Sequence, residues 1–592
     1  MRRLPAALLA VLLLLLLVAG PASADSAPIA TAAPGQPAGA EDGNALTTPP
    51  SLDQPPVGHR LTGNQAQALA DKRPEIIQMK KDYPGAYPGV FLKGRQRWQI
   101  SYYAKTKPLR EIGQVTIEDR SAKVQESYTG YKVAWSMARG YPGAFGRKVN
   151  SPWVWIPMTV AFLLPFLGPR RRWRPSWLML DVSVLAAFGI SVAYFNDAQI
   201  DRSVPSEYIL LAYVLARMLW IGVVSRPPAA GAPRRGAAPI AIPVTWLAIG
   251  LVFLVGFRVG LNITNSNVID VGYSGVIGAE KLTGGEKLYG NWPKDNEHGD
   301  TYGPVAYAAY IPFTQALGWS GRWDDLPAAH GAAVAFDLLC MLLLFLLGRQ
   351  IRGPGLGVVL SYCWAAFPLT FYAQMCNSND ALVSVFLIAA LLAAARPGRR
   401  AVFIALGGLT KFATLAVAPL FATHALGHRP GDPEDAPTTA RSRARTFIVF
   451  SVAFGITALI ALLPVIWHGQ SPSLVYDRTL GFQTSRGSPF SIWGLYEIPG
   501  LQHVWQALSV LLAVGLAVLP RRRDMTGLAA CAAAIVIALQ AGVTHWFYLY
   551  IVWFFPLVMV ALLAPFGDEE ETDGADPDAN PAMVPAPVVT AA

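Results

Sequence analysis

Residues 329–352 read AHGAAVAFDLLCMLLLFLLGRQIR. The apolar run from Ala329 to Gly348 is 20 residues long, enough at about 1.5 Å per residue to cross a ~30 Å hydrocarbon core as a helix. Arg349 and Arg352 follow at once. Lys and Arg accumulate on cytoplasmic flanks, so this helix is expected to run inward. Asp337 sits in mid-span and is expected to pair with a polar neighbour or to line a cavity.

Outward from this helix, apolar stretches of roughly 17–23 residues recur from Trp153 to Phe566. The chain has 592 residues, of which 53% are apolar and 15% charged, against about 25% charged in an average soluble domain. Mean hydropathy is +0.35. These values exclude an ordinary soluble enzyme and chain-long disorder. Four cysteines exclude a small disulfide scaffold. They lie in or beside the spans and read as small apolar residues. The net charge of +10 is not a nucleic-acid signature, because the basic residues cluster at span ends: Arg170 to Arg172, Arg234/Arg235, Arg396/Arg399/Arg400, Arg441/Arg443/Arg445 and Arg521 to Arg523.

The composition divides the chain. Residues 1–24 have the basic start, apolar run and Ala22-Ser23-Ala24 site of a secretory signal peptide. Residues 25–60 are rich in Ala, Pro, Gly and Ser and read as a disordered linker. Residues 61–150 read as a small extracytoplasmic α+β domain, with a helix over 64–83 and strands over 89–92, 97–104, 113–118 and 123–128. Residues 151–238 carry accessory transmembrane helices, and 239–566 form the main membrane domain. The acidic tail 567–592 is expected to be disordered and cytoplasmic.

Placing the basic clusters inside fixes the parity. Segments 151–168, 176–195, 207–224 and 239–257 cross first, and 258–328 lies outside. Gly303 to Trp319 then reads as an interfacial or re-entrant helix rather than a span. Segments 355–373 and 381–395 form a hairpin whose outer tip is Asn377-Ser378-Asn379-Asp380, with N-capping accounting for one of the last two. Residues 401–426 begin and end at basic flanks, so they read as two short limbs with Thr410-Lys411-Phe412 at the turn. Such a break at membrane depth is tolerated only inside protein or beside a cavity, and a lysine there is a functional-site candidate. Spans 446–466, 503–520, 525–543 and 546–565 follow, giving an all-α polytopic membrane protein of about 13 crossings.

The polar residues of the outer face carry the functional reading. They are Asn267-Val-Ile-Asp270-Val-Gly-Tyr273, Gly284-Gly285-Glu-Lys-Leu-Tyr289-Gly290, Asp300-Thr-Tyr302-Gly303-Pro304, Gly408-Leu-Thr-Lys411 to Pro419, Arg486-Gly-Ser-Pro489-Phe490-Ser-Ile-Trp493-Gly494 and His545-Trp-Phe-Tyr548-Leu-Tyr550 to Pro556. In this order, over roughly 240–565, they resemble the integral-membrane GT-C glycosyltransferases, specifically the bacterial branch that uses polyprenyl-phosphate-linked sugars and is typified by α-mannosyltransferases. The resemblance implies a GT-C-like bundle in the plasma membrane, with its site on the extracytoplasmic face. It implies a polyprenyl-phosphate-linked sugar donor, mannose foremost, and an envelope glycan or glycolipid acceptor. Asp270 is then the general base and Asp300 a second acid. Lys411 and Arg486 hold the lipid phosphate, and Tyr273, Tyr302, Trp493, His545 and Tyr548 line the substrate. An aromatic belt at the interface is the alternative for these rings. Separately, the helix-then-strands order and the Trp98-Gln-Ile100…Val115-Thr-Ile117-Glu118-Asp119 run resemble PepSY-like periplasmic domains.

Asp295, Glu297, His298 and Asp300 are a hydrated loop or oxygen-rich ligands for a divalent cation such as Mg²⁺ or Mn²⁺. No Walker A loop, His-Glu-x-x-His or Cys-x-x-Cys motif occurs. A lipid-linked-glycan transporter or flippase, and a non-catalytic scaffold with a secreted binding domain, are the competing readings.

Overall fold

The computed structural model describes residues 46–93, 96–105, 110–129, 145–167, 177–196, 199–225, 235–237, 240–293, 296–319, 326–424, 440–485, 488–519 and 522–567. The signal peptide and acidic tail readings lie outside these residues.

The N-terminal domain is an antiparallel five-stranded meander with two helices. Strands β1 (Leu46–Thr47), β2 (Tyr87–Lys93), β3 (Arg97–Ala104), β4 (Arg110–Glu118) and β5 (Val124–Thr129) lie in sequence order. The expected single helix is two, α1 (Gly63–Asp71) and α2 (Pro74–Asp82). Pro74 disfavours helical backbone at Arg73 and begins the second helix at its first position. Thr62 and Gln65 form a capping box at the start of α1. The domain also starts earlier than expected: β1 pairs with Leu92 and Lys93, and the Asn64 amide donates to the Leu52 carbonyl. Residues 46–60 are therefore part of the fold, held by backbone hydrogen bonds that composition does not reveal.

Asp119 ties the segment before α1 to the sheet. Its carboxylate accepts from Arg60 N (2.6 Å), Leu61 N (3.0 Å) and Trp98 Nε1 (2.9 Å). Burial alone would raise its pKa, but these donors and the nearby His59 hold it below its ordinary value. Its contribution is complete above the unfolded pKa near 3.9 and is lost as the pH falls through the lower folded value. Asp119→Ala leaves three donors unanswered and is expected to cost about 1–3 kcal/mol. Hydrogen exchange of β3 and β4 peptides in the full chain should show the lost protection at neutral pH. Unchanged protection would contradict this role.

The membrane part comprises α3 (Pro152–Leu163), α4 (Trp177–Asn196), α5 (Ile200–Leu219), α6 (Val244–Asn265), α7 (Asp270–Thr283), α8 (Pro304–Ala308), α9 (Ile311–Leu317), α10 (Pro327–Arg352), α11 (Pro354–Ala366), α12 (Pro368–Met375), α13 (Asp380–Leu392), α14 (Pro397–Gly408), α15 (Ala418–Thr423), α16 (Ala440–Trp467), α17 (Pro499–Val518), α18 (Met525–Ala541) and α19 (Ile551–Leu563), with shorter turns between some of them. Among the described residues, six helices are long and apolar enough to cross a membrane, or seven counting α11 and α12, which bend by 59°. This is fewer than about 13. Five other apolar helices have only 10–17 residues. The shorter helices α18 and α19 are enclosed nearly all round, as the centre of a bundle requires, while α16 exposes Ile456, Leu459, Ile460 and Leu463.

Lipid is as apolar as the side chains, so close packing rather than water exclusion holds such helices together. At the crossing of α10 and α11, a Cβ on Gly348 would lie 2.6 Å from the Gly357 Cα. The loop expected from residue 258 begins later, because α6 continues to Asn265. Arg258 is thus inside the bundle, fully buried and paired with Asp337 through Nε (3.0 Å) and Nη2 (2.5 Å). The polar partner expected for Asp337 is present, from a residue the sequence reading had placed outside.

Candidate functional site

The site forms where the 401–426 segment breaks. Helix α14 stops at Gly408, Lys411 is extended (φ −137°, ψ 117°), and a 3₁₀ turn over Phe412–Val417 leads into α15. The break frees backbone carbonyls. Leu409 O accepts from Val305 N (3.1 Å) and Thr410 O from Gly303 N (3.2 Å). The Tyr302-Gly303-Pro304 motif therefore docks directly on the Thr410-Lys411 turn, giving the irregular backbone the protein partners that membrane depth demands. A Cβ on Gly303 would meet Leu409 O at 1.9 Å. Gly303→Ala is expected to separate the two motifs, lowering stability by about 1–3 kcal/mol and function with it. A thermal melt unchanged from wild type would contradict the docking.

Lys411 Nζ lies 2.5 Å from Asp380 Oδ1, both residues buried. It also lies 5.1 Å from the Tyr302 ring centre, 5.3 Å from Trp553 and 5.7 Å from Tyr550. Trp553 Nε1 donates to the same Asp380 oxygen at 2.9 Å. An ammonium held among three aromatic rings and one carboxylate is strongly localised.

Asp270 opens α7 and is exposed. An acid on the first turn suits the helix dipole whatever else it does. The strand of chain before it pairs with the end of α12: Asn267 N donates to Met375 O and Ile269 N to Cys376 O, both at 3.2 Å. Cys376 lies within electrostatic range of both Asp270 and Asp380. Asn296 Nδ2 ties the 288–302 loop to the Asp270 carbonyl (3.2 Å) and to Ser274 Oγ (2.9 Å). Asp300, two residues before Tyr302, is fully buried. Its Oδ2 accepts from Gly290 N and Arg478 Nε, each at 2.7 Å. Tyr289 donates to Tyr302 O at 3.0 Å. Burial, reinforced by Asp300, pushes the Tyr289 hydroxyl pKa up and keeps it a donor.

Several buried polar atoms of these segments have no hydrogen-bond partner among the described residues. They are both amide atoms of Asn379 and of Gln374, Asp380 Oδ2, Asp300 Oδ1 and the Tyr310 hydroxyl. Asn379 stands at the N-cap position of α13 but makes no capping bond, contrary to the capping expected for this tip. Buried polar groups normally find partners, so these unanswered donors and acceptors set this part of the interior apart.

Three expected substrate residues serve the fold instead. Tyr548 is enclosed, and its hydroxyl bonds Ser191 Oγ (2.7 Å) and Ser203 Oγ (2.6 Å) on α4 and α5. Trp493 is buried and donates to Ala541 O at 2.7 Å. Tyr273 is buried edge-on to Trp319. Burial leaves none of their faces open to a sugar. His545 is half-buried, with Nδ1 3.0 Å from Ser488 Oγ. Arg486 and Asp295 lie outside the described residues. Of the proposed cation ligands, Asp300 pairs with Arg478 and the His298 ring stacks on Phe482 at 4.6 Å. Among the described residues no group of three His, Cys, Asp or Glu is placed to hold a metal.

Sequence reasoning missed Asp380 as the partner of Lys411, together with Tyr550, Trp553, Tyr310 and Arg478. The signal for Asp380 was present: a buried lysine needs a carboxylate, and the same parity places Asp380 and Lys411 on one side. Compared with family models, curated proteins and solved structures, the chain has no match.

Proposed function

We propose that this chain is an integral-membrane glycosyltransferase of the GT-C kind, moving a sugar, mannose foremost, from a polyprenyl-phosphate donor to an envelope glycan or glycolipid. The observation that carries the reading is the caged Lys411–Asp380 pair, on whose turn the segment from Asp300 to Pro304 docks. Lys411 has three N–H donors, and Asp380 takes one, leaving charge for the donor phosphate. Arg478, and Arg486 from the same outer loop, add guanidinium donors.

In the reaction the acceptor oxygen attacks the anomeric carbon, and the bond from that carbon to the phosphate oxygen breaks. The polyprenyl phosphate leaves with the electron pair. Asp270 takes the acceptor proton, and Lys411 stabilises charge growing on the phosphate. Under this proposal the shorter helices complete about 13 crossings. The site faces outward from the plasma membrane, opposite the basic end, and a cleaved signal peptide delivers the small domain to that same side.

Membranes containing the chain, given radiolabelled polyprenyl-phosphate-mannose and envelope acceptors, are expected to transfer label that control membranes do not. Failure with mannose and with arabinose donors would overturn the enzyme reading. One observation favours a transporter: α11 and α12 form a second broken segment in addition to the break at Lys411. Movement of intact lipid-linked sugar across vesicles without transfer would select it.

A further inference from the structure

A cavity of about 730 Å³ lies at the other end of α19 from the Lys411 site, between the start of α4, the end of α5 and Ala561 to Phe566. Tyr550 and Trp553 of the Lys411 cage stand at the start of α19, so its 13 residues, about 20 Å of helix, separate the two. We propose that this cavity binds an anionic glycerophospholipid from the leaflet on the side bearing Arg522 and Arg523.

Arg217 is the anchor. Its Nε donates to both Asp181 oxygens, at 2.9 and 3.0 Å, and its guanidinium lies 5.4 Å from the Trp177 ring centre. Asp181 is itself buried and also accepts from Tyr213 at 2.8 Å. The carboxylate thus orients the fork by one edge. The two Nη groups have no hydrogen-bond partner among the described residues, and Arg217 lines the cavity. That edge presents N–H donors in the geometry that suits a phosphate. Arg522 adds a second cation, clamped by Asp524 at 2.7 and 2.6 Å, with Nη1 3.4 Å from Ser225 Oγ.

The rest of the cavity indicates lipid rather than a soluble anion. Ile221, Ala561, Leu562 and Pro565 make an apolar wall suited to glycerol and the first acyl carbons. Trp177 and Trp220 are 68% and 57% exposed at helix ends on the rim, where tryptophan settles at a membrane interface. Helix α5 also ends in a π-turn over Trp220–Val224, a distortion frequent at functional sites.

The test is native mass spectrometry of the full chain in detergent, titrated with phosphatidylglycerol, phosphatidylcholine and inorganic phosphate. One phosphatidylglycerol should be retained about tenfold more tightly than phosphatidylcholine, about one decade in Kd, and millimolar phosphate should not displace it. Arg217→Gln and Ala216→Trp should each reduce phosphatidylglycerol binding to the phosphatidylcholine level. Ala216 is an exposed lining residue, so a tryptophan there takes up cavity space without removing a charge and decides the matter if Arg217→Gln fails to fold. Equal binding of the two lipids, displacement by phosphate, or unaltered binding by Ala216→Trp would overturn the proposal.

Discussion

Replacing Lys411 by methionine is expected to abolish sugar transfer and to destabilise the protein by about 3–5 kcal/mol, the usual consequence of stranding one charge of a buried pair. Asp380 is fully buried and loses its ammonium partner, keeping among the described residues the Trp553 donor on Oδ1. The double variant Lys411→Met/Asp380→Asn removes both charges. It should recover most of the lost stability and none of the transfer. Thermal melts of the purified chain, read beside the transfer assay, separate the two effects. Transfer surviving in either variant would remove Lys411 from the chemistry.

Arg258→Met should cost a similar amount, about 3–5 kcal/mol, through a different route. Pro368 has no N–H, so the Trp364 carbonyl one turn earlier loses its helical donor. Thr370 Oγ1 supplies that bond at 2.5 Å, and Arg258 Nη1 donates to the adjacent Ala365 carbonyl at 3.1 Å. Arg258 thereby joins Asp337 on α10 to the bend between α11 and α12. Removing it strands Asp337, left with Trp364 Nε1 alone, and loosens the bend. Helix α12 leads into the Asn377 to Asp380 tip, so transfer should fall as well. Arg258→Met/Asp337→Leu should restore the melting temperature most of the way. A single variant as stable as wild type would show that the bend does not need the pair.

Particular residues show how far the sequence alone reaches. The break at Lys411 is legible because basic clusters flank both ends of one apolar segment, and no single helix satisfies that. The bend at Phe367–Pro368 is not, because its flanks lie on opposite sides and a continuous helix fits equally well. Arg258 ends the apolar window that stops at Phe257, so hydropathy assigns it to the loop, although α6 runs on and buries it. Strands β2 to β5 announce themselves by alternation. The two residues of β1 sit in Ala- and Pro-rich chain and gain their pairing only from β2. The site shows the same limit. Tyr302, Lys411 and the Asp300 loop are legible as polar groups on one face, and the structure joins them through the Gly303 and Val305 amides. Tyr548 and Trp493 carry the same sequence signal as Tyr550 and Trp553, since an aromatic near an interface can serve belt, core or cage. Only the three-dimensional partners separate them: serines and a carbonyl for the first two, Lys411 for the others.

The measurement that bears most directly on the central claim compares wild type, Asp270→Asn and Asp300→Asn, at equal level in membranes, for transfer from radiolabelled polyprenyl-phosphate-mannose. Asp270 is exposed at a helix start, so its replacement should cost no more than about 1 kcal/mol of stability. Transfer should nonetheless fall by about a hundredfold or more, as loss of a general base requires. Asp300→Asn should lose transfer together with melting temperature, because Arg478 then lacks its carboxylate. Wild-type transfer matched by Asp270→Asn would contradict the account and remove Asp270 as the base.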